Sequence, residues 1–341
     1  MDRPNTRRST MAAAMLALSF ACMTPSAKAL DAAATKTPDV RLQQKLDALA
    51  QRARPGTLGV AVLDLQSGTE AGVNAGQAFP MMSVFKAPVA AAVLSRVDAG
   101  KLSLQQQVSV SRADVLSGSA VPSIGAHFRG ERMTFTVEQL LKAAVSESDN
   151  TAVDALVKVV GGPQVVTAFL RAHGIDGMRV DMDEAGVARI FQDLGPGQEM
   201  PVKESAQASL ERYRRGFKAF LDAPTNRSTP DAAVGFLRKL HDNELLTQAS
   251  TQYLLGLMAA QTIPNRLRAG VPQGVGLADK TGTSGSLDGR TAAYNDIGIL
   301  SGPDGHTVIV AAFLTDSHAS DAQRDALFAD IARAAVASLH P

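Results

Sequence analysis

The 341-residue chain carries a formal net charge of +1, 4% aromatic residues, no tryptophan and one cysteine. A near-neutral chain without a Lys/Arg cluster has little to hold a nucleic-acid backbone or an anionic membrane surface, and so few aromatics argue against a base-stacking platform. Six scattered histidines without an H-x-x-x-H spacing, and no second cysteine, leave no expected metal site, cofactor or disulfide framework.

The chain opens as a targeting segment. Arg3, Arg7 and Arg8 precede an apolar run from Met11 to Met23, and Ala27-Lys28-Ala29 is a small-x-small cleavage pattern. A signal peptide over 1–29 is expected, with export to the periplasm or the medium. The run is too short to anchor the mature chain stably in a membrane. Cys22 leaves with it, so the mature chain from Leu30 must rest on its hydrophobic core.

Residues 40–54 have helical spacing, with Leu42, Leu46 and Leu49 on one stripe, and Pro55-Gly56 stops them. Residues 58–65 read as a strand, Gln66-Ser67-Gly68 as a turn, and 69–73 as the returning strand. Helical pattern dominates from Ser83 to about Leu257. Within it, residues 193–200, with Gly195-Pro196-Gly197, and the polar sequence on to Ser228 read as a long surface loop or a lid. Three strand-like runs follow, 274–280, 292–300 and 307–314, and Pro303-Asp304-Gly305 turns between the last two. Residues 321–339 close the chain as an alanine-rich helix.

Strands at both ends with helices between predict an α/β fold in a single domain over 30–341. An antiparallel sheet of about five strands is expected, flanked by N- and C-terminal helices and built from 30–76 and about 247–341. An all-helical lobe over about 77–246 stands beside it, with the active site between the two. A monomer is the default expectation.

Three short segments carry the chemistry. In Ser83-Val84-Phe85-Lys86, near the start of a helix, the i,i+3 spacing lets an amine reach a serine that is a poor nucleophile on its own. Ser148-Asp149-Asn150 joins two helical runs; on a short turn its serine and asparagine can both enter a cleft. In Lys280-Thr281-Gly282-Thr283, at a strand end, a lysine and two hydroxyls form an anion site, and glycine permits close backbone approach. Each alone has an ordinary structural explanation as a cap or a strand end. Their conjunction, in this order, carries the argument.

Together they resemble the class A serine β-lactamases, within the wider group of penicillin-recognising serine enzymes. The likeness is strongest over 148–163 and 276–317, and the added residues 286–290 are similar to the extended-spectrum branch. The resemblance implies a small-molecule β-lactam substrate and a covalent acyl-enzyme. Ser83 would be the nucleophile, Lys86 its proton partner, and Ser148 the relay to the leaving nitrogen. Asn150 would bind the substrate's side-chain amide, and Lys280, Thr281 and Thr283 its carboxylate. The N–H groups of Ser83 and Thr283 would form the oxyanion hole, and Arg268 would pair structurally with Asp279. The family's E-x-x-x-N signature is absent. Glu184, in Asp183-Glu184-Ala185-Gly186, is the candidate to activate the deacylating water, ahead of Glu204 and Glu211. Gly118 stands where the family usually has an aromatic residue at the cleft mouth, and the segment from Glu184 to Ser228 is longer than in typical members. A D-alanyl-D-alanine peptidase, a penicillin-binding hydrolase with poor deacylation, and a non-hydrolytic sensor are the rival readings.

Overall fold

The structure, a computed structural model, describes Met1 and residues 39–337 except 122. The signal segment expected over 1–29 otherwise lies outside the described residues. Asp39 caps the first helix, Val40–Arg52, by accepting from the backbone N–H groups of Arg41 and Leu42 at 2.9 and 3.0 Å. The helix then buries the Leu42, Leu46 and Leu49 stripe.

The main sheet is antiparallel throughout. Its order is Glu70–Val73, Thr57–Asp64, Thr307–Ser317, Arg290–Ser301, Gly276–Thr283, and the two-residue strand Ser286–Leu287 pairs beside Arg290–Ser301. Alternation along each strand divides its side chains between two cores. On Thr307–Ser317, Val308, Val310, Ala312 and Leu314 face the terminal helices Val40–Arg52 and Asp321–Val336. Ile309, Ala311 and Phe313 face the opposite way, toward Lys86–Asp98 and Pro230–His241. Because both faces are covered, these strands read as near-continuous apolar runs. The helix Lys86–Asp98 is buried from Lys86 through Leu94, as expected of a helix that is apolar all round. Among the described residues, no single helix is long and apolar enough to cross a membrane.

Three readings change. The lobe over about 77–246 is not all helical: Gln107–Ser111 pairs with Arg132–Thr136, and Phe79–Pro80 with Arg227–Ser228, in two small antiparallel sheets. Ser83 does not start the long helix; it sits one turn earlier, in the 3-10 turn Met82–Phe85 that feeds into Lys86–Asp98. The polar sequence after Met200 is not a loop but contains a 17-residue helix, Ala206–Asp222, capped by Ser205, whose hydroxyl accepts from Ala208 N–H at 3.1 Å. Its buried face is Arg212, Gly216, Phe217 and Phe220, so half of the stripe is not apolar and the period is hidden.

Phe328 of the last helix is fully buried and meets Tyr294 of the sheet edge-on, with ring centroids 5.2 Å apart. Phe328→Ala should lower unfolding stability by about 3–5 kcal/mol, because the cavity lies between a helix and a sheet that cannot easily collapse. Urea unfolding monitored by circular dichroism checks this. A change below about 1 kcal/mol would contradict the packing described.

Candidate active site

The three motifs converge at one place. The turn holding Ser83 begins with Met82 at φ +45°, a left-handed conformation that disfavours any non-glycine residue by about 1–3 kcal/mol. Its neighbours hold it there. Asn295 Nδ2 donates to the carbonyls of Pro80 and Met81 at 2.8 and 3.0 Å. Gly282 runs so close that a Cβ would overlap the Met81 carbonyl oxygen and lie 3.2 Å from Ser83 N. The glycine of K-T-G is therefore needed for the strand to touch the serine turn.

Lys86, three residues after the serine, is fully buried. Its Nζ donates to the Ser148 carbonyl at 2.7 Å and to Asn150 Oδ1 at 2.6 Å, and lies 3.2 Å from Glu184 Oε1. Burial lowers the pKa of this ammonium, opposed by the charge and hydrogen bond of Glu184 and by the charges of Asp149 and Asp154.

Ser148 adopts φ +58° between the helices Val137–Val145 and Asn150–Val160. This left-handed residue turns the chain so that Ser148 and Asn150 both face Lys86. The Ser148 hydroxyl accepts from Lys280 Nζ at 3.0 Å and lies 3.5 Å from Lys86 Nζ, and so stands between two ammonium groups. Asp149 between them is structural. It caps the following helix through Ala152 N–H at 2.8 Å and ties down the N–H groups of Ser123 and Ile124. Asn150 Nδ2 donates to the Ser117 carbonyl at 3.2 Å. At Gly118, beside it, a Cβ would sit 3.8 Å from Asn150 Nδ2.

Glu184 is the first residue of the helix Glu184–Phe191 and is buried. Its Oε1 accepts from Ser83 Oγ at 3.4 Å. Asp154 anchors it from below, accepting from the backbone N–H of Glu184 at 2.7 Å and of Ala185 at 2.9 Å. Burial and the nearby charge of Asp183 push the Asp154 carboxyl up to about 7, against those two hydrogen bonds. Glu204 and Glu211 are engaged elsewhere, with Arg212 and Gln207.

Lys280 is also fully buried, and its Nζ bonds the Ser148 hydroxyl and the Thr281 carbonyl, the latter at 3.1 Å. Burial and the positive charge of Lys86 bring it down to about 7. Thr281 is buried beside it, while Thr283 is exposed at the strand end with its hydroxyl accepting from Arg266 Nη2. Arg268 pairs with Asp279, which also accepts from Gln261 Nε2 at 2.5 Å.

Hydrogen bonds and the Lys86–Glu184 ion pair link Ser83, Lys86, Ser148, Asn150, Glu184 and Lys280, and Thr281 and Thr283 follow Lys280 on the same strand. Sequence reasoning missed Asp154 and Arg266. Asp154 lies four residues after Asn150, the helical spacing that puts both on one face, and that was its available signal. Arg266, at φ +64°, stacks over the Tyr294 ring at 4.1 Å and donates to the Asn295 carbonyl at 2.9 Å. Nothing local in the sequence announces those contacts. Among the described residues, no group of three or more His, Cys, Asp or Glu is placed to hold a metal ion. A cavity of about 760 Å³ is lined by residues such as Arg214, Phe217, Leu287 and Arg290; it contains none of the motif residues.

A family model described as the β-lactamase enzyme family matches residues 41–339. The chain is 35% identical over 283 residues to the extended-spectrum β-lactamase PER-1 of Pseudomonas aeruginosa, covering 83% of this chain and 82% of that one. It is 30% identical over 285 residues to the β-lactamase VEB-1 of Pseudomonas aeruginosa, covering 83% and 85%. Among solved structures, a β-lactamase from Chitinophaga pinensis DSM 2588 superposes with a TM-score of 0.73 at 33% identity, over 87% of this chain and 99% of that chain. An ancestral class A β-lactamase gives 0.71 at 33% identity, with the same coverage. With the motifs gathered in one cleft and these likenesses spanning most of the chain, the protein belongs to the β-lactamase enzyme family, in class A.

Proposed function

We propose that this β-lactamase opens β-lactam rings through an acyl-enzyme on Ser83 that a Glu184-activated water releases. The observation that carries the reading is the position of Glu184 Oε1, 3.4 Å from Ser83 Oγ and 3.2 Å from Lys86 Nζ. The substrate carboxylate pairs with Lys280 and the hydroxyls of Thr281 and Thr283, and Asn150 holds the side-chain amide. Ser83 Oγ attacks the lactam carbonyl, and the N–H groups of Ser83 and Thr283 receive the oxyanion. Two groups stand ready for the serine proton: Glu184, and beyond it the Lys86 amine, whose burial favours its neutral form. As the C–N bond breaks, the Ser148 hydroxyl gives its proton to the leaving nitrogen and is resupplied by Lys280 or Lys86, both of which reach it.

Water then attacks the ester carbonyl and loses a proton to Glu184. Ser83 Oγ leaves with a proton, and the product departs with a new carboxylate. In this second step Glu184 is the base. The same reading includes export through the N-terminal signal segment, with the mature chain acting as a monomer in the periplasm or the medium.

Glu184→Gln should slow acylation less than deacylation, because Lys86 remains for the first step. Rapid-quench mass spectrometry with benzylpenicillin should show a transient adduct in the native protein and an accumulating one in the variant, with turnover reduced about 10²–10⁴-fold. Equal adduct levels in the two proteins would sink the assignment.

Lys280 must hold its proton to pair with the substrate carboxylate, and that proton leaves as pH rises through about 7. The kcat/KM of a carboxylate-bearing β-lactam, which reports the free enzyme, should therefore fall on the alkaline side of about 7. In Lys280→Arg, where the cation does not titrate, this limb should disappear from whatever activity remains. A native profile that stays flat to strongly alkaline pH would contradict the role given to Lys280.

A further inference from the structure

The helix Ala206–Asp222 has no part in the reaction above, yet it packs on the element that supplies the base. The helix Glu184–Phe191 is eight residues long, so about 12 Å separates its ends. Those ends are held separately. Asp154 fixes the first, through the N–H groups of Glu184 and Ala185. The second is held from Ala206–Asp222. Phe220 stacks on Phe191 with ring centroids 4.3 Å apart, and Arg212, buried and paired with Glu204, donates from Nη1 to the Gln192 carbonyl at 2.6 Å. Gly216 approaches so closely that a Cβ would overlap the Phe191 carbonyl. Phe217 and Phe220 share an apolar cluster with Val187, in the middle of the short helix, and with Met82, next to Ser83.

We propose that Ala206–Asp222 is a clamp on the Glu184 helix, with Phe220, Gly216 and Arg212 acting as positioning residues for deacylation. The inference rests on Glu184 being the base. A short helix held at one end can tilt about Asp154, and a tilt carries the Glu184 carboxylate away from the water and the ester. Acylation is less sensitive, because Lys86 lies on another helix and remains available for the serine proton. Displacements of about 1 Å in a reacting group can reduce rates about 10²-fold.

The test compares Gly216→Ala, Phe220→Ala and Phe220→Leu with the native protein and with Glu184→Gln. Gly216→Ala is the most informative variant. Alanine favours the helix itself, so Ala206–Asp222 stays formed while the added methyl pushes Phe191 away. The clamp predicts that kcat falls about tenfold in Gly216→Ala and Phe220→Ala, while kcat/KM, which reports acylation, changes less than about threefold. The acyl-enzyme fraction at steady state should rise, and Phe220→Leu should recover part of kcat. Should Phe220→Ala fail to fold by circular dichroism, Gly216→Ala and Phe220→Leu decide the matter. An unchanged kcat in the folded variants, or a kcat/KM that falls as far as kcat, overturns the clamp. If Glu184→Gln accumulates adduct and the clamp variants do not, the base stands and the clamp alone fails. If Glu184→Gln turns over like the native protein, both fall together.

Discussion

Lys86 has no exposed surface, and an ammonium taken fully out of water is strongly disfavoured unless charged or dipolar partners surround it. Much of the site answers that requirement. The Ser148 carbonyl, Asn150 Oδ1 and Glu184 Oε1 reach it from three separate places: a left-handed turn, the first turn of one helix and the start of another. A second buried ammonium, Lys280, meets the same serine from the sheet side. The groups that make the two charges tolerable are also the groups that touch Ser83 or face the cleft. Removing any one leaves a buried charge short of a partner, so substitutions here act on stability and on chemistry together.

The same convergence accounts for the three positive-φ residues, among those described, that are neither glycine, asparagine nor aspartate. Met82, Ser148 and Arg266 all have positive φ without being glycine. Each flanks a group that bonds within the cleft, and each is held by contacts from elsewhere in the chain. Met82 is fixed by the Asn295 amide and the approach of Gly282, and Arg266 by the Asn295 carbonyl, the Thr283 hydroxyl and the Tyr294 ring. Strain of this kind persists only where the surroundings over-determine the conformation. The two cores on either face of the sheet provide that rigidity. Buried at their junction, the strand Gly276–Thr283 can press against the serine turn without yielding.

Much of this was legible in the chain. The terminal helices and the sheet strands follow from apolar periodicity, because both sheet faces are buried and turns such as Pro303-Asp304-Gly305 punctuate them. Ser83/Lys86 and Ser148/Asn150 are legible because their partners lie within three residues of one another. The Arg268–Asp279 pair was legible through its family likeness. What escaped depends on contacts distant in sequence. Asp154 matters because it reaches Glu184, 30 residues on, and Arg266 because it reaches the Asn295 carbonyl, 29 residues on. Ala206–Asp222 escaped for a different reason. Its inner face mixes Phe217 and Phe220 with Gly216 and Arg212, so the helix is stabilised by what it packs against rather than by a periodic stripe.

The proposed reaction stands on Ser83 Oγ as the atom that carries the substrate. The direct measurement is tandem mass spectrometry of peptides from the Glu184→Gln protein, quenched in acid after mixing with benzylpenicillin. The account predicts one adduct with the mass of the intact penicillin, on the hydroxyl of Ser83, and none in Glu184→Gln combined with Ser83→Ala. An adduct on another residue, or β-lactam hydrolysis that survives Ser83→Ala at the native rate, would contradict it.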